Sequence, residues 1–169
     1  MRREPSSGPG ASTLVALRIL IFHGYLLGGT GSNVYNAALA EALGRAGHEV
    51  HLLSQDRDPF AHPWVDAAGD WDGGTLRMEA RRTPARVTVY RPAVELLPVY
   101  VADRYEGVEA RPLPALTDAE VEDYLERNVA AVRDVAALAS PEVALANHLV
   151  MGPVVLARAL AGTGIPYAV

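Results

Sequence analysis

The stretch that most constrains this chain is "FHGYLLGGTGSNVYNAALAEALGRAGHEV", residues 22–50. Four glycines fall between Gly24 and Gly31, and an alanine-rich helical pattern follows at once. Glycine loses more conformational freedom on folding than any other residue. A cluster of it ahead of a helix implies that something comes close to the backbone there. Before it, "LRILIF" (17–22) is a short, nearly continuous apolar run, which suits a strand buried on both faces of a parallel sheet. After it, Val34, Ala38, Ala42 and Ala46, with Leu39 and Leu43 beside them, mark one face of a helix. Glu41 and Arg45 stand one turn apart on the other face as a supporting pair. Gly47 ends the helix as a left-handed cap, and "EVHLLS" (49–54) is the second strand. Strand, glycine loop, helix and strand form the unit that opens a doubly wound sheet.

The remaining chain extends the pattern. Residues 55–85, rich in Asp, Gly and Pro and holding both tryptophans, read as a long excursion of the kind that is often functional. "RVTVYR" (86–91) alternates apolar and polar residues and reads as strand three. A second irregular stretch covers 92–116. "TDAE" (117–120) is a capping box. The helix it opens runs to about Ala139, with Val121, Leu125, Val129, Val132 and Val135 or Ala136 inward, and Ser140-Pro141 stops it. "VALAN" (143–147) is strand four. Gly152-Pro153 opens another helix, Gly162 and Gly164 close it, and "PYAV" (166–169) begins strand five. The expectation is a three-layer α/β/α Rossmann-like domain over residues 16–169. Its sheet would be mainly parallel, of about five or six strands, behind a disordered leader, residues 1–15.

Composition removes several function classes. A chain of 169 residues is long enough for one domain with its own core. The net charge of −5 argues against a nucleic-acid partner, which needs a basic face. There is no cysteine, so neither a disulfide framework nor a thiolate metal site can form. The leader lacks the build of a signal peptide. Arg18 interrupts the apolar run "LVALRILIF", so no transmembrane segment is expected and the protein reads as cytoplasmic.

The glycine loop leaves the first strand at its carboxyl end, where open α/β sheets bind ligands. A helix's first turn offers unpaired N–H groups and a positive dipole end, and glycine lets an anion approach. Gly28, Gly29, Gly31, Ser32 and Asn33 are therefore the candidate phosphate-binding loop. The dinucleotide fingerprint G-x-G-x-x-G is incomplete, because Gly29 and Gly31 are followed by Val34. The acidic residue expected at the end of strand two is displaced to Asp56. A phosphate loop of the Gly-Lys-Ser/Thr type is excluded, since the chain contains no lysine.

His148 follows strand four and precedes a helix, which puts it at the ligand end of the sheet, where it can donate to a sugar hydroxyl or developing charge. His23 ends strand one beside the loop, where it too is expected to face the cleft as an acceptor-site residue. Tyr100, Asp103, Arg104 and Tyr105, in "VYVADRYEG", follow strand three at the same end and suit a polyol or phosphorylated acceptor. His48 and His51 read as structural, and Trp64 and Trp71 as covers for the sheet edge, with stacking on a sugar face as the alternative. His23 and His148 alone make no zinc motif, and no metal is expected.

"LRILIFHGYLLGGTGSNVYNAALAEALGRAGHEVHLLS" resembles the opening of GT-B glycosyltransferases of the retaining family-4 type. "NHLVMGPVVLARALAGTGIPYAV" (147–169) is similar to that family's histidine-bearing strand end, helix and Ile-Pro strand. The resemblance implies the N-terminal, acceptor-side half of a two-domain transferase. The donor would be a nucleotide-sugar, used as a substrate with no further cofactor. The acceptor would be a sugar, a polyol or a lipid-linked molecule. The glycine loop would face the donor diphosphate and His148 would be the catalytic-site histidine. It also implies a separate C-terminal donor-binding domain, expected to be missing from this sequence, so that these residues alone transfer no sugar. The rival readings are an NAD(P)-dependent oxidoreductase fragment and a non-catalytic nucleotide-binding module.

Overall fold

The computed structural model describes residues 15–94, 96–100, 109–147 and 150–169. Nine strands are assigned: β1 (Arg18–Phe22), β2 (Glu49–Leu53), β3 (Ala67–Asp72), β4 (Thr75–Ala80), β5 (Val87–Pro92), β6 (Leu96–Val99), β7 (Glu109–Pro112), β8 (Val143–Leu145) and β9 (Tyr167–Ala168). Three α-helices accompany them: α1 (Gly31–Arg45), α2 (Asp118–Ala139) and α3 (Gly152–Ala159). Seven strands form one sheet in the order β4-β3-β5-β2-β1-β8-β9, and β6 and β7 form a separate parallel pair. Every neighbouring pair in the large sheet is parallel except β3 with β4.

The sheet is covered on both faces, which explains the unbroken apolar strands. On one face Leu20, Phe22, Leu53 and Tyr90 pack under α2 and α3, against Leu125, Val129, Val132, Val135, Leu156 and others. On the other, Ile19, Ile21, Val50, Leu52, Val87 and Val89 pack under Ala37 and Ala40 of α1. Alternate residues of β1 thus serve opposite layers. This is the expected three-layer α/β/α Rossmann-like arrangement. The chain turns from building one side of the sheet (β2, β5) to the other (β8, β9) at β1, so the switch point lies between β1 and β8.

Local signals explain α2 fully. The Thr117 side chain accepts from the Glu120 N–H while the Glu120 carboxylate accepts from the Thr117 N–H, closing the capping box. The Thr117 N–H above all, with Arg111 and the Thr117 hydroxyl, holds the Glu120 carboxyl down at about 2. In α1 the Glu41–Arg45 pair forms at 2.7 Å and Gly47 follows with φ +94°.

Three expectations need correcting. Val34, Ala38, Ala42 and Ala46 face solvent; the buried side of α1 is Asn33, Asn36, Ala37 and Ala40. An alanine-rich helix carries too little contrast between faces for the pattern to locate the core side. Residues 55–85 are not one long loop: they contain the antiparallel hairpin β3–β4, turned at Gly73 and Gly74 with φ of +57° and +106°. Both positive angles fit the two-residue hairpin turn that matches strand twist. Here β4 is an exposed edge, so its sequence lacks the apolar alternation of a covered strand. Residues 92–116, read as irregular, hold the β6–β7 pair and a short 3-10 turn at Leu113–Ala115. Among the described residues the sheet therefore has seven strands rather than five or six.

Candidate functional site

Residues 23–30 leave β1 and cross the carboxyl end of the sheet before α1 begins. The turn starts with His23 and Gly24, whose N–H groups both reach the Leu53 carbonyl at 3.1 Å. Gly24 has φ +74°, and a Cβ there would lie 3.0 Å from Phe22 Cζ and 3.1 Å from Tyr124 Oη. Only glycine fits this corner. Beneath the loop, the Ser54 hydroxyl and the Gln55 N–H donate to the Tyr25 carbonyl at 2.7 and 2.8 Å. The Tyr25 hydroxyl donates to the Pro98 carbonyl at 2.6 Å, tying the loop to β6.

Three side chains from three parts of the chain then fix the crest. His23 is buried, and its Nε2 lies 2.9 Å from the Leu26 carbonyl and 3.0 Å from Asn33 Oδ1. Both are acceptors, so Nε2 carries the proton and is shared between them. Asn33 Nδ2 donates in turn to the Gly28 carbonyl at 2.7 Å. Asp56 Oδ2 accepts from the Leu27 N–H at 3.0 Å, and Oδ1 from the Asp58 N–H at 3.1 Å. Loop carbonyls and amides are thus held from below. Gly28, Gly29 and Gly31 are exposed, with no heavy atom within 4 Å of a Cβ built on any of them.

At the start of α1, no side chain among the described residues caps the helix at Thr30, and the first turn carries no acidic residue. The Ser32 hydroxyl lies 3.3 Å from that of Thr30. One turn on, Asn36 is fully buried. Its Nδ2 donates to the Ser32 carbonyl at 2.9 Å, and its Oδ1 accepts from Asn147 Nδ2 at 3.0 Å. That bond spans the switch point between β1 and β8. Past it, α3 also begins at the carboxyl end of the sheet, behind Met151 in the left-handed region at φ +62°.

The expected residues separate accordingly. Gly28, Gly29, Gly31 and Ser32 lie along the exposed crest or at the first helical turn. Asn33 and His23 belong to the scaffold underneath, so the expectation that His23 faces the cleft is corrected. Its buried ring is committed to the loop backbone. Tyr100 is 80% exposed at the end of β6. Asp103, Arg104, Tyr105 and His148 lie outside the described residues, as does most of the expected leader. Asp56, Asn36 and Asn147 escaped the sequence reading as site residues. Polar residues on the first turns of α1, at positions spaced for the buried side, were the available signal.

His48 and His51 are structural, as expected. His48 Nδ1 accepts from the Leu17 N–H at 3.1 Å. The buried His51 sits in the α2 layer between the Tyr90 hydroxyl, 2.9 Å from Nδ1, and Glu49, 3.1 Å from Nε2. Burial pulls its pKa below the ordinary value and outweighs the opposing pull of Glu49. Burial also pushes the Tyr90 hydroxyl up to about 12. Among the described residues no three His, Asp or Glu side chains gather closely enough to hold a metal ion. No helix there is long and apolar enough to cross a membrane.

No family profile matches the chain, and no curated protein does. Among solved structures, it is similar to the C-terminal domain (residues 78–226) of a Pyrococcus furiosus hydrogenase, at 15% identity and a TM-score of 0.46, over 89% of this chain and 88% of that one. A second structure of that C-terminal domain (residues 83–215) gives 14% identity and a TM-score of 0.47 over 95% and 98% of the two chains.

Proposed function

We propose that this chain is the acceptor-side domain of a retaining glycosyltransferase that uses a nucleotide-activated sugar. The observation that carries the reading is the glycine crest. Exposed backbone at Gly28, Gly29 and Gly31 runs into the uncapped start of α1, while His23, Asn33 and Asp56 hold it from beneath. Preorganised N–H donors of this kind stabilise charge that develops on a leaving group, here a nucleoside diphosphate departing from the anomeric carbon. The likeness of residues 17–54 and 147–169 to the GT-B glycosyltransferases supports the same assignment. It gives His148 the role of positioning the transferred sugar or the acceptor.

The loop amides touch only the diphosphate, so binding by this chain is weak, with dissociation constants on the order of 1 mM, about −4 kcal/mol. Titration with UDP-glucose and GDP-mannose, followed by phosphorus NMR, measures it. Perturbed diphosphate resonances at millimolar nucleotide, reversed by Gly28→Ala, support the assignment. Micromolar binding of NADH in a fluorescence titration, with no response to either sugar nucleotide, replaces it with the oxidoreductase reading.

A further inference from the structure

A second cavity lies on the far side of β2 from the switch point. It has a volume of about 380 Å³ and opens at the carboxyl ends of β2, β5 and β3. That size falls within the range of small-molecule sites. Gln55, Asp70, Asp72 and Arg91 line it. Gln55 is more than nine-tenths buried, and its Nε2 finds no acceptor among the described residues. The Nε of the half-buried Arg91 is likewise covered and without an acceptor among them. Arg91 is otherwise fixed: its other nitrogens bond the Arg57 carbonyl and, at 2.6 Å, Asp70 Oδ1. Covered N–H groups without partners are rare in folded proteins, and each lowers stability until something accepts from it. Two in the wall of one cavity mark a built site. The groove between β7 and α2 also holds a covered Nε without a hydrogen bond, that of Arg111, but this nitrogen lies 3.1 Å from Glu109 Oε1, and no buried amide stands beside it among the described residues.

We infer that this cavity binds a small neutral polyhydroxylated molecule of monosaccharide or polyol class. Its lining selects that chemistry. Gln55 and Arg91 supply donors, while Asp70 and Asp72, both exposed, supply acceptors beside them. In the lining three carboxylates, Asp56, Asp70 and Asp72, outnumber the two guanidiniums, Arg57 and Arg91, and disfavour an anion, whereas a hydroxyl accepts from the N–H groups and donates to the aspartates at once. A hydroxyl also matches the Gln55 amide in either of its two orientations. On binding, the Gln55 amide turns toward the ligand and exchanges an unpaired state for a paired one, beside the fixed Arg91 guanidinium. The cavity borders the crest's support, since Asp56 also lines it and the Gln55 N–H bonds the Tyr25 carbonyl, but the inference does not rest on the glycosyltransferase reading.

The test is side-chain NMR on the intact chain. The Gln55 amide and Arg91 Nε–H resonances are followed during titration with glucose, with myo-inositol and with inorganic phosphate. One or both neutral ligands should shift the two resonances in a saturable way at millimolar concentration, and phosphate should not. Gln55→Met should weaken that binding at least tenfold. Its melting temperature should stay level or rise, because a buried unpaired amide is replaced by an apolar chain of similar shape. Resonances that stay fixed in all three titrations would mean that the donors are served by water, and the inference would fall. It would fall equally if phosphate alone moved them, or if Gln55→Met bound the polyol with wild-type affinity. Should Gln55→Met not fold, Asp72→Asn on the exposed rim replaces it, with a several-fold loss of affinity expected and no change overturning the inference.

Discussion

Gly28-Gly29 and Gly73-Gly74 are two glycine pairs in one chain, and they do different work. At neither pair does an added Cβ come within 4 Å of another group, so open space does not distinguish them. The second pair turns the exposed β3–β4 hairpin, and both its residues have positive φ because the turn demands it. Around the first pair, two loop carbonyls and an amide are bonded by buried or partly buried side chains, and the loop stands at the carboxyl end of the central strand. A glycine pair at a hairpin serves the strands beside it. A glycine pair with side chains assigned to hold it serves something outside the chain.

Substitutions can break or sharpen this contrast. The largest loss of stability is expected from placing valine at both Gly73 and Gly74. Each positive φ costs a residue with a Cβ roughly 1–2 kcal/mol, so denaturant unfolding should show a loss of about 2–4 kcal/mol while sugar-nucleotide shifts per folded molecule stay unchanged. Next comes Asn33→Ala, which removes the acceptor for His23 and the donor for Gly28. Unfolding should show a loss of roughly 1–3 kcal/mol, and nucleotide binding by NMR should fall at least tenfold. If binding survives there, the scaffold has no part in the site.

Gly28→Ala is the sharper probe, because Gly28 lacks the positive φ of Gly29 and the added methyl meets nothing. Stability should stay within about 0.5 kcal/mol of the parent, yet diphosphate contact should weaken. The smallest effect separates the core from both loops. The folded-state pKa of His51 lies below its unfolded value of about 6.5. Its contribution is therefore fully present above that value and is lost as pH falls through the window below it. Unfolding midpoints should decline as pH drops from about 7 to 5, and His51→Gln should flatten that slope without altering nucleotide binding.

The same contrast explains what could be read in advance. α2 was legible because its cap, its apolar spacing and its Ser140-Pro141 stop agree with one another, β1 because a strand covered on both faces writes a nearly continuous apolar run, and β5 because its apolar and polar residues alternate. α1 was legible as a helix but not in orientation. Its alanines look alike from every side, and two of its four buried positions are asparagines engaged in hydrogen bonds. The β3–β4 hairpin was missed because an exposed edge needs no pattern, although the Gly-Gly pair was its signature. In the site, glycine spacing pointed to the crest, but the partners of His23, Asn33 and Asp56 depend on contacts that only the folded chain defines.

The Asn36–Asn147 bond joins residues 111 positions apart. Closing so long a segment carries an entropic cost that nearby contacts do not share. The β1–α1–β2 unit can assemble early from its own neighbours, but the floor under the first turn of α1 is completed only when β8 docks beside β1. Asn36 should accordingly show a φ-value near zero, with Asn36→Ala speeding unfolding and leaving the folding rate unchanged. The supports of the crest itself, His23, Asn33 and Asp56, form within that early unit, so a chain halted before β8 docks would hold the loop but lack the finished floor under the first turn of α1.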